Sequence, residues 1–140
     1  LTLNNLGTYD LREILARQNI DWYADDRLYH GGDYNSSAIV MLHSDEWYSS
    51  NTMHVADQLS ISSDNLMMEN LEMGNTPEWY RMFIGIEAWD AHDLEHQVRR
   101  ANPQWIVLAK PSQALIELSD ENLWHNALAE YSQDIFDSYF

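Results

Sequence analysis

The hydrophobic positions along the chain form short runs and alternations that are typical of β-strands. Residues 38–42, 82–86 and 105–108 are continuous apolar runs of strand length, which predicts buried strands, the first of them central. Residues 52–55 and 58–62 alternate polar with apolar side chains, the pattern of strands that bury one face.

Helical spacing of apolar residues, bounded by capping residues, predicts four helices between and after these strands. They are expected from Thr8 or Asp10 onwards, from Ser63 or Asp64 to Met73 before Gly74, over residues 91–101, and from Ser119 onwards. The irregular order of helices and strands favours one mixed α+β domain over residues 1–140 rather than a strict βαβ array.

Composition excludes several classes of function. Seven Lys and Arg face 23 Asp and Glu, a formal charge of −16, so the surface repels nucleic-acid phosphates and anionic lipid. The chain has no cysteine, which removes disulfides and thiolate metal ligands and fits a reducing compartment. We therefore expect a cytoplasmic, acidic domain that binds neither nucleic acid nor membrane directly.

The sharpest local motif is His92-Asp93-Leu94-Glu95-His96, which fits the H-x-x-E-H pattern of inverted zinc proteases. In that pattern His92 and His96 bind zinc and Glu95 activates water. On a helix, however, these histidines lie opposite the apolar stripe and face solvent. The stripe predicted to be buried comprises Ala91, Leu94, Val98 and Ala101.

Other catalytic and cofactor motifs do not occur. The sequence has no phosphate-binding G-x-x-x-x-G-K-[ST] loop and no G-x-S-x-G nucleophile motif. His30, His43 and His54 lie near predicted strands or turns, where single histidines are typically hydrogen-bonded structural groups. We predict no catalytic residue, metal or cofactor; the alternative is a metal-dependent hydrolase using His92, Glu95 and His96.

Five groups of segments, spread over nearly the whole chain, keep the order and spacing of a known family. They are residues 1–6 with 11–15, 28–32 with 38–43, 60–64, 83–89 with 94–95, and Asn102 and Trp105 with 120–124. In this order they resemble the YqgE/AlgH family of small bacterial proteins. Asn5, Asp33 and Glu87 depart from the family pattern, and its N-terminal segment is absent, so we expect a divergent, N-terminally shortened member.

The resemblance implies a fold and assigns structural positions. It implies an α+β fold with a mixed, bifurcated β-sheet folded into a pseudo-barrel, helices packed outside, and no established enzymatic activity or cofactor. The family-motif positions are Gly31, Gly32, Gly85, Trp89 and Glu95. We interpret the glycines and Trp89 as turn and close-packing positions, because none of them titrates or acts as a nucleophile.

These observations lead to an expected function of a non-catalytic kind. We expect a non-enzymatic binding or regulatory domain, in a bacterial or phage setting, that binds a partner protein or a small ligand. The family's label of transcriptional regulator would require action through a partner, since Arg99-Arg100 is the only adjacent basic pair. An apolar stripe on the last helix either folds back onto the sheet or forms a homodimer; it comprises Trp124, Leu128, Tyr131 and Ile135.

Overall fold

Six β-strands and five α-helices occur in the computed structural model, which describes residues 1–3, 6–17, 19–22, 27–99, 105–108, 111–118 and 121–139. The strands are β1 (Leu6–Asp10), β2 (Arg27–His30), β3 (Ile39–Ser44), β4 (Met53–Ala56), β5 (Leu59–Ser62) and β6 (Tyr80–Ile84). The helices are α1 (Leu11–Ala16), α2 (Asn65–Glu72), α3 (Ala91–Arg99), α4 (Gln113–Glu117) and α5 (Glu121–Tyr139).

The chain divides into two compact units, Leu1–Glu87 and Ala88–Phe140. The first unit holds one sheet with the strand order β1-β2-β6-β3-β5-β4. Its β2–β6 pair is parallel and the other pairs are antiparallel, so the predicted α+β class with a mixed sheet is confirmed. β1 and β4 are the edges of this sheet. The described strands therefore form an open sheet, without the closure that a pseudo-barrel suggests.

Aspartate caps fix where α1 and α2 begin. The Asp10 carboxylate accepts the N–H of Arg12 at 2.7 Å, and the Asp64 carboxylate accepts the N–H of Met67 at 2.7 Å. These bonds satisfy backbone donors that the first helical turn leaves unpaired. Both predicted helix starts are thus confirmed, and α2 ends just before Gly74, as its spacing predicted.

The main core lies between α1, α2 and one face of the sheet, which we call the helix-side face. Leu28 pairs with Met82 and Met82 with Met41, so these three side chains point to the same side of the sheet. The other buried members of this core are Leu11, Leu15, Trp22, Trp47, Met67 and Leu71. Each such side chain, fully buried, contributes about 1.5–3 kcal/mol of hydrophobic stabilisation.

The opposite face of the sheet is also buried. Tyr29 and Phe83 pair across the parallel strands, with ring centroids 5.7 Å apart, and both are at most 4% exposed. Arg81 lies on this face with its guanidinium carbon 4.8 Å from the centre of the Tyr29 ring. Its Nη1 also donates to the carbonyl of Leu3. Because both faces are covered, residues 39–42 of β3 and 82–84 of β6 are continuous apolar runs.

In the second unit the described secondary structure consists of α3, α4 and α5. Ser112 caps α4 by accepting the N–H of Leu115, and it also hydrogen-bonds the carboxylate of Glu130 on α5. Near the start of this unit, the ring of Trp89 packs edge to face on that of Trp105, with the ring centroids 5.7 Å apart. Within the described residues, no helix has the length and apolar character needed to cross a bilayer.

Three predictions about burial or strand structure are wrong. Residues 105–108 do not form a strand, and Trp105, Ile106 and Val107 are 41–55% exposed. None of the nine residues of α3 is buried, so its apolar stripe is not a core face. β4 is exposed throughout because it is an edge strand.

Other sequence predictions meet the described structure only in part. The predicted starting residues of α5, Ser119 and Asp120, lie outside the described residues, as does Ala101 of the predicted stripe. β1, β2 and α4 have no counterpart in the predicted order. In the apolar stripe of α5, Trp124 and Ile135 are 56% and 41% exposed, and the choice between folding back and forming a homodimer stays a prediction.

Candidate functional site

A buried serine–histidine pair lies on the helix-side face, where β3 meets β5. His43 is fully buried and Ser62 is 1% exposed. The imidazole Nδ1 lies 2.8 Å from the carbonyl of Ser44, so Nδ1 carries the proton. Nε2 is therefore an acceptor, and the Ser62 hydroxyl, 2.9 Å away, donates to it.

The pair continues into a chain of hydrogen bonds that ends at α2. Thr52 Oγ1 lies 2.7 Å from Ser62 Oγ and donates to it, since the Ser62 proton is already given to His43. The backbone N–H of Ser49 donates to Thr52 Oγ1 at 2.7 Å, and Ser49 Oγ donates to Asp64 at 2.6 Å. Asp64 is the residue that caps α2. The chain of hydrogen bonds therefore connects β3 and β5, through the segment just before β4, with the start of this helix.

Asp64 stays ionised at the end of this chain. Burial raises its pKa, but hydrogen bonds from Ser49 Oγ and from the N–H groups of Met67 and Asn51 outweigh burial. The net effect lowers the pKa of Asp64 below its ordinary value, because every one of these donors favours the charged carboxylate.

The serine–histidine pair supplies a hydroxyl and an imidazole, the groups of a nucleophile and a base. Its surroundings, however, do not suit catalysis. The Nδ1 proton of His43 is held by the carbonyl of Ser44 rather than by a carboxylate, so the third member of a catalytic triad is not bonded to this ring. Trp47 packs edge to face on the ring of His43 at 5.2 Å. Ser62 already donates one hydrogen bond and accepts another, and it has almost no accessible surface. The arrangement therefore joins strands and leaves no approach for a substrate.

The predicted glycine positions of the first unit lie where two loops cross in backbone contact. Gly31 and Gly32 follow β2, and Gly85 follows β6. The N–H of Gly31 donates to the carbonyl of Ile84 at 2.9 Å. A Cβ at Gly85 would overlap the carbonyl oxygen of Gly32, and one at Gly31 would overlap that of Gly85. The backbones approach so closely that only glycine fits.

The residues of the predicted zinc motif do not converge. His92, Glu95 and His96 are all exposed on α3, and Glu95 pairs with Arg99 at 3.5 Å. In the described part of the chain, no three His, Asp or Glu side chains are placed to share a metal ion. Trp89 is 42% exposed and packs on Trp105, so it contributes an aromatic contact within the second unit.

The other two singled-out histidines lie near carboxylates. His30 Nε2 is 3.1 Å from Asp33, and His54 Nδ1 is 4.0 Å from Asp45. Asp33 replaces the proline of the family pattern, and its own N–H donates to the carboxylate of Glu87. Two departures from the family pattern, Asp33 and Glu87, are thus bonded to each other.

An open groove of about 300 Å³ lies between α1 and α2 and is a candidate binding surface in the first unit. Its apolar floor includes Ile14 and Met68, one from each helix, with Ile39 of β3. Asp64, Glu69 and Glu72 supply its charged lining. The sequence pattern does not predict this groove. The sequence feature that indicates it is that Ile14 and Met68 are apolar but lie at the edges of the apolar stripes of α1 and α2.

Comparisons with known proteins give the chain a family. A model of the AlgH-like family matches residues 1–135. The chain belongs to the AlgH-like family. An uncharacterised UPF0301 protein of Marinomonas sp. is 28% identical over 111 residues, which cover 76% of this chain. Another UPF0301 protein, from Pasteurella multocida, is 25% identical over 133 residues, 91% of this chain and 70% of its own length.

The fold is shared with a solved AlgH-like structure. The solution structure of the AlgH protein from Pseudomonas aeruginosa matches with a TM-score of 0.75 at 20% identity, covering 91% of this chain and 69% of that one. The chain spans 58% of the length of the Marinomonas relative and 56% of that of a UPF0301 protein from Desulfotalea psychrophila. The family resemblance seen in the sequence is confirmed, and with it membership of a family of unknown function.

Proposed function

We propose that this AlgH-like domain is non-enzymatic and acts by binding a partner protein. One observation carries the proposal: the described residues that could form a nucleophile and base, Ser62 and His43, are sealed in the core with their hydrogen bonds satisfied. The groove between α1 and α2, in contrast, is open and has an apolar floor. A surface of this kind suits association better than turnover.

The proposal extends to the setting of that partner. A chain without cysteine needs no oxidising compartment, so we place the association in the cytoplasm. A net charge of −16 opposes direct contact with DNA, so any effect on transcription would pass through the bound protein. The hydrolase alternative gains no support, because the three residues it needs are exposed and separate on α3.

The experiment that tests the non-enzymatic part uses a fluorophosphonate, a probe that labels reactive serines, followed by intact-mass measurement. We expect no adduct on the folded protein and no hydrolysis of activated esters above the rate of Ser62→Ala. Ser37→Ala, at an exposed serine, is the matched control. An adduct on Ser62, or ester turnover abolished by both Ser62→Ala and His43→Gln but not by Ser37→Ala, would overturn the proposal.

A further inference from the structure

The floor of the groove between α1 and α2 is apolar surface that the fold leaves partly open. Ile14, Ile20, Ile39 and Met68 pack against the main core but are only half-buried. Ile14 lies on α1, Ile20 follows that helix, and Met68 lies on α2. The apolar strip therefore runs between the two helices. Methionine is a flexible, polarisable side chain that adapts its shape to different partners.

The charges that line this groove all have one sign. Glu69 and Glu72 are exposed and lie three residues apart on α2, which places them on neighbouring positions of one helix face. Asp64, at the start of the helix, is held ionised by the hydrogen bonds described above. None of the described residues that line the groove is Lys or Arg. The groove therefore presents an apolar strip beside a polar border whose charged side chains are all acidic.

The negative charge of the groove determines which kind of helix can bind there. A second copy of this chain offers an exposed apolar helix face in Ile135, Phe136 and Tyr139 of α5. That helix contains no Lys or Arg, and Asp134 and Asp137 flank the face, so it would bring carboxylates against carboxylates. A helix with lysine or arginine beside its apolar face has the complementary charge and the matching apolar strip.

We propose that the groove between α1 and α2 binds a helical segment of a partner protein that presents apolar side chains on one face and Lys or Arg beside them. This inference rests on the proposed function, because it names the surface and the partner chemistry of that association. The apolar side chains enter the strip between Ile14 and Met68, and the cations pair with Glu69 and Glu72.

The test measures binding of a defined probe by fluorescence anisotropy. The probe is a labelled synthetic helix of about 16 residues, with leucines at i, i+3, i+4 and i+7 and lysines on both sides of them. A scrambled peptide of the same composition keeps the charge but loses the apolar face. We expect the scrambled peptide to bind about tenfold more weakly, and amide shifts on adding the probe to centre on Ile14, Ile39 and Met68.

Charge variants separate the groove from the general acidity of the protein. Glu69→Lys with Glu72→Lys should raise the Kd of the probe about tenfold, because like charges then face its lysines. Asp57→Lys with Glu78→Lys makes the same change in net charge at exposed positions of the first unit that do not line the groove. This control pair should change the Kd less than about threefold, the effect of screened charge alone.

The outcomes distinguish this inference from the proposed function. Equal weakening by both pairs of substitutions, or equal binding of the scrambled peptide, shows non-specific attraction and overturns the inference. No binding of the probe at all also overturns it, whereas the non-enzymatic assignment is decided separately by the serine probe. Met68→Gln adds an uncharged check at the floor: unchanged affinity in this variant contradicts an apolar contact there.

Discussion

Gly74 and Gly85 have nearly the same backbone dihedral, φ +84° and +82°, but very different surroundings. A Cβ at Gly74 would meet nothing within 4 Å, whereas one at Gly85 would overlap the carbonyl of Gly32. Gly74→Ala should therefore lose only the cost of the left-handed conformation, about 1–2 kcal/mol. Gly85→Ala should lose at least about 2 kcal/mol more, because a backbone must move. Urea unfolding measures both, and equal losses would contradict the close crossing.

Ser62 should matter for stability rather than for chemistry. Ser62→Ala leaves His43 Nε2 without a donor inside the core, which costs about 1–3 kcal/mol of unfolding free energy. Ser37→Ala, at an exposed position, should change stability by less than about 0.5 kcal/mol. Nitrogen NMR of the imidazole should show a proton on Nδ1, the nitrogen that faces the carbonyl of Ser44. An unprotonated Nδ1 would contradict this hydrogen bond.

The glycine crossing and the serine–histidine pair differ in how far sequence alone predicts the role of a residue. Gly31, Gly32 and Gly85 stand out because glycine is scarce and the family pattern marks these positions. The bond between His43 and Ser62 joins residues on different strands, and its partner appears only once the register of β3 and β5 is known. Predicting His43 as a structural histidine needed only its place in a strand, whereas predicting its partner needed the sheet.

At the scale of elements, the cap of α2 makes stability depend on pH. The pKa of Asp64 is lowered in the folded state, so its contribution is present above the unfolded pKa and is lost as pH falls through the folded value. Asp64→Asn keeps a good capping residue but removes the charge, which should cost about 1 kcal/mol at pH 7. The difference in unfolding free energy between this variant and the unsubstituted protein should shrink below about pH 4.

Urea unfolding at several pH values measures this gap. Asp57→Asn, at an exposed position in the turn between β4 and β5, is the control and should show a much smaller difference at neutral pH. A gap for Asp64→Asn that stays constant down to pH 3 would mean that the charge of Asp64 contributes nothing.

Elements were predictable where local pattern and tertiary setting agree. β3 and β6 are apolar because both faces are buried, and the caps of α1 and α2 act within one turn. β2 escaped prediction because its four residues show no alternation: Leu28 and Tyr29 are both buried, on opposite faces. Residues 105–108 have the composition of a strand, but no neighbouring strand pairs with them in the described structure. Pairing, which is not local, decided these cases.

At the scale of the whole molecule, the charge of −16 should weaken the fold at low ionic strength. Carboxylates outnumber basic side chains by 23 to 7, so most of them have no cation to pair with. Raising NaCl from a few millimolar to about 0.2 M shortens the screening length to below about 8 Å and should raise the Tm by a few degrees.

Calorimetry or dye-based melting measures this effect. Near the isoelectric point, about pH 4.3, the same salt series should leave the Tm almost unchanged, because little net charge remains to be screened. A Tm that is flat with salt at pH 7 would show that the acidic side chains are spaced widely enough not to interact.

The parallel pairing of β2 with β6 has a consequence for the order of folding. β3, β4 and β5 are neighbours in sequence and can pair early, whereas β2 must wait until the chain through α2 has returned to form β6. Leu28→Ala and Leu59→Ala each remove a buried leucine from one of these two regions. Stopped-flow kinetics should show that Leu59→Ala mainly slows folding and that Leu28→Ala mainly speeds unfolding. The lifetime of the native state is then set by the parallel β2–β6 pair, which we expect to close last and open first.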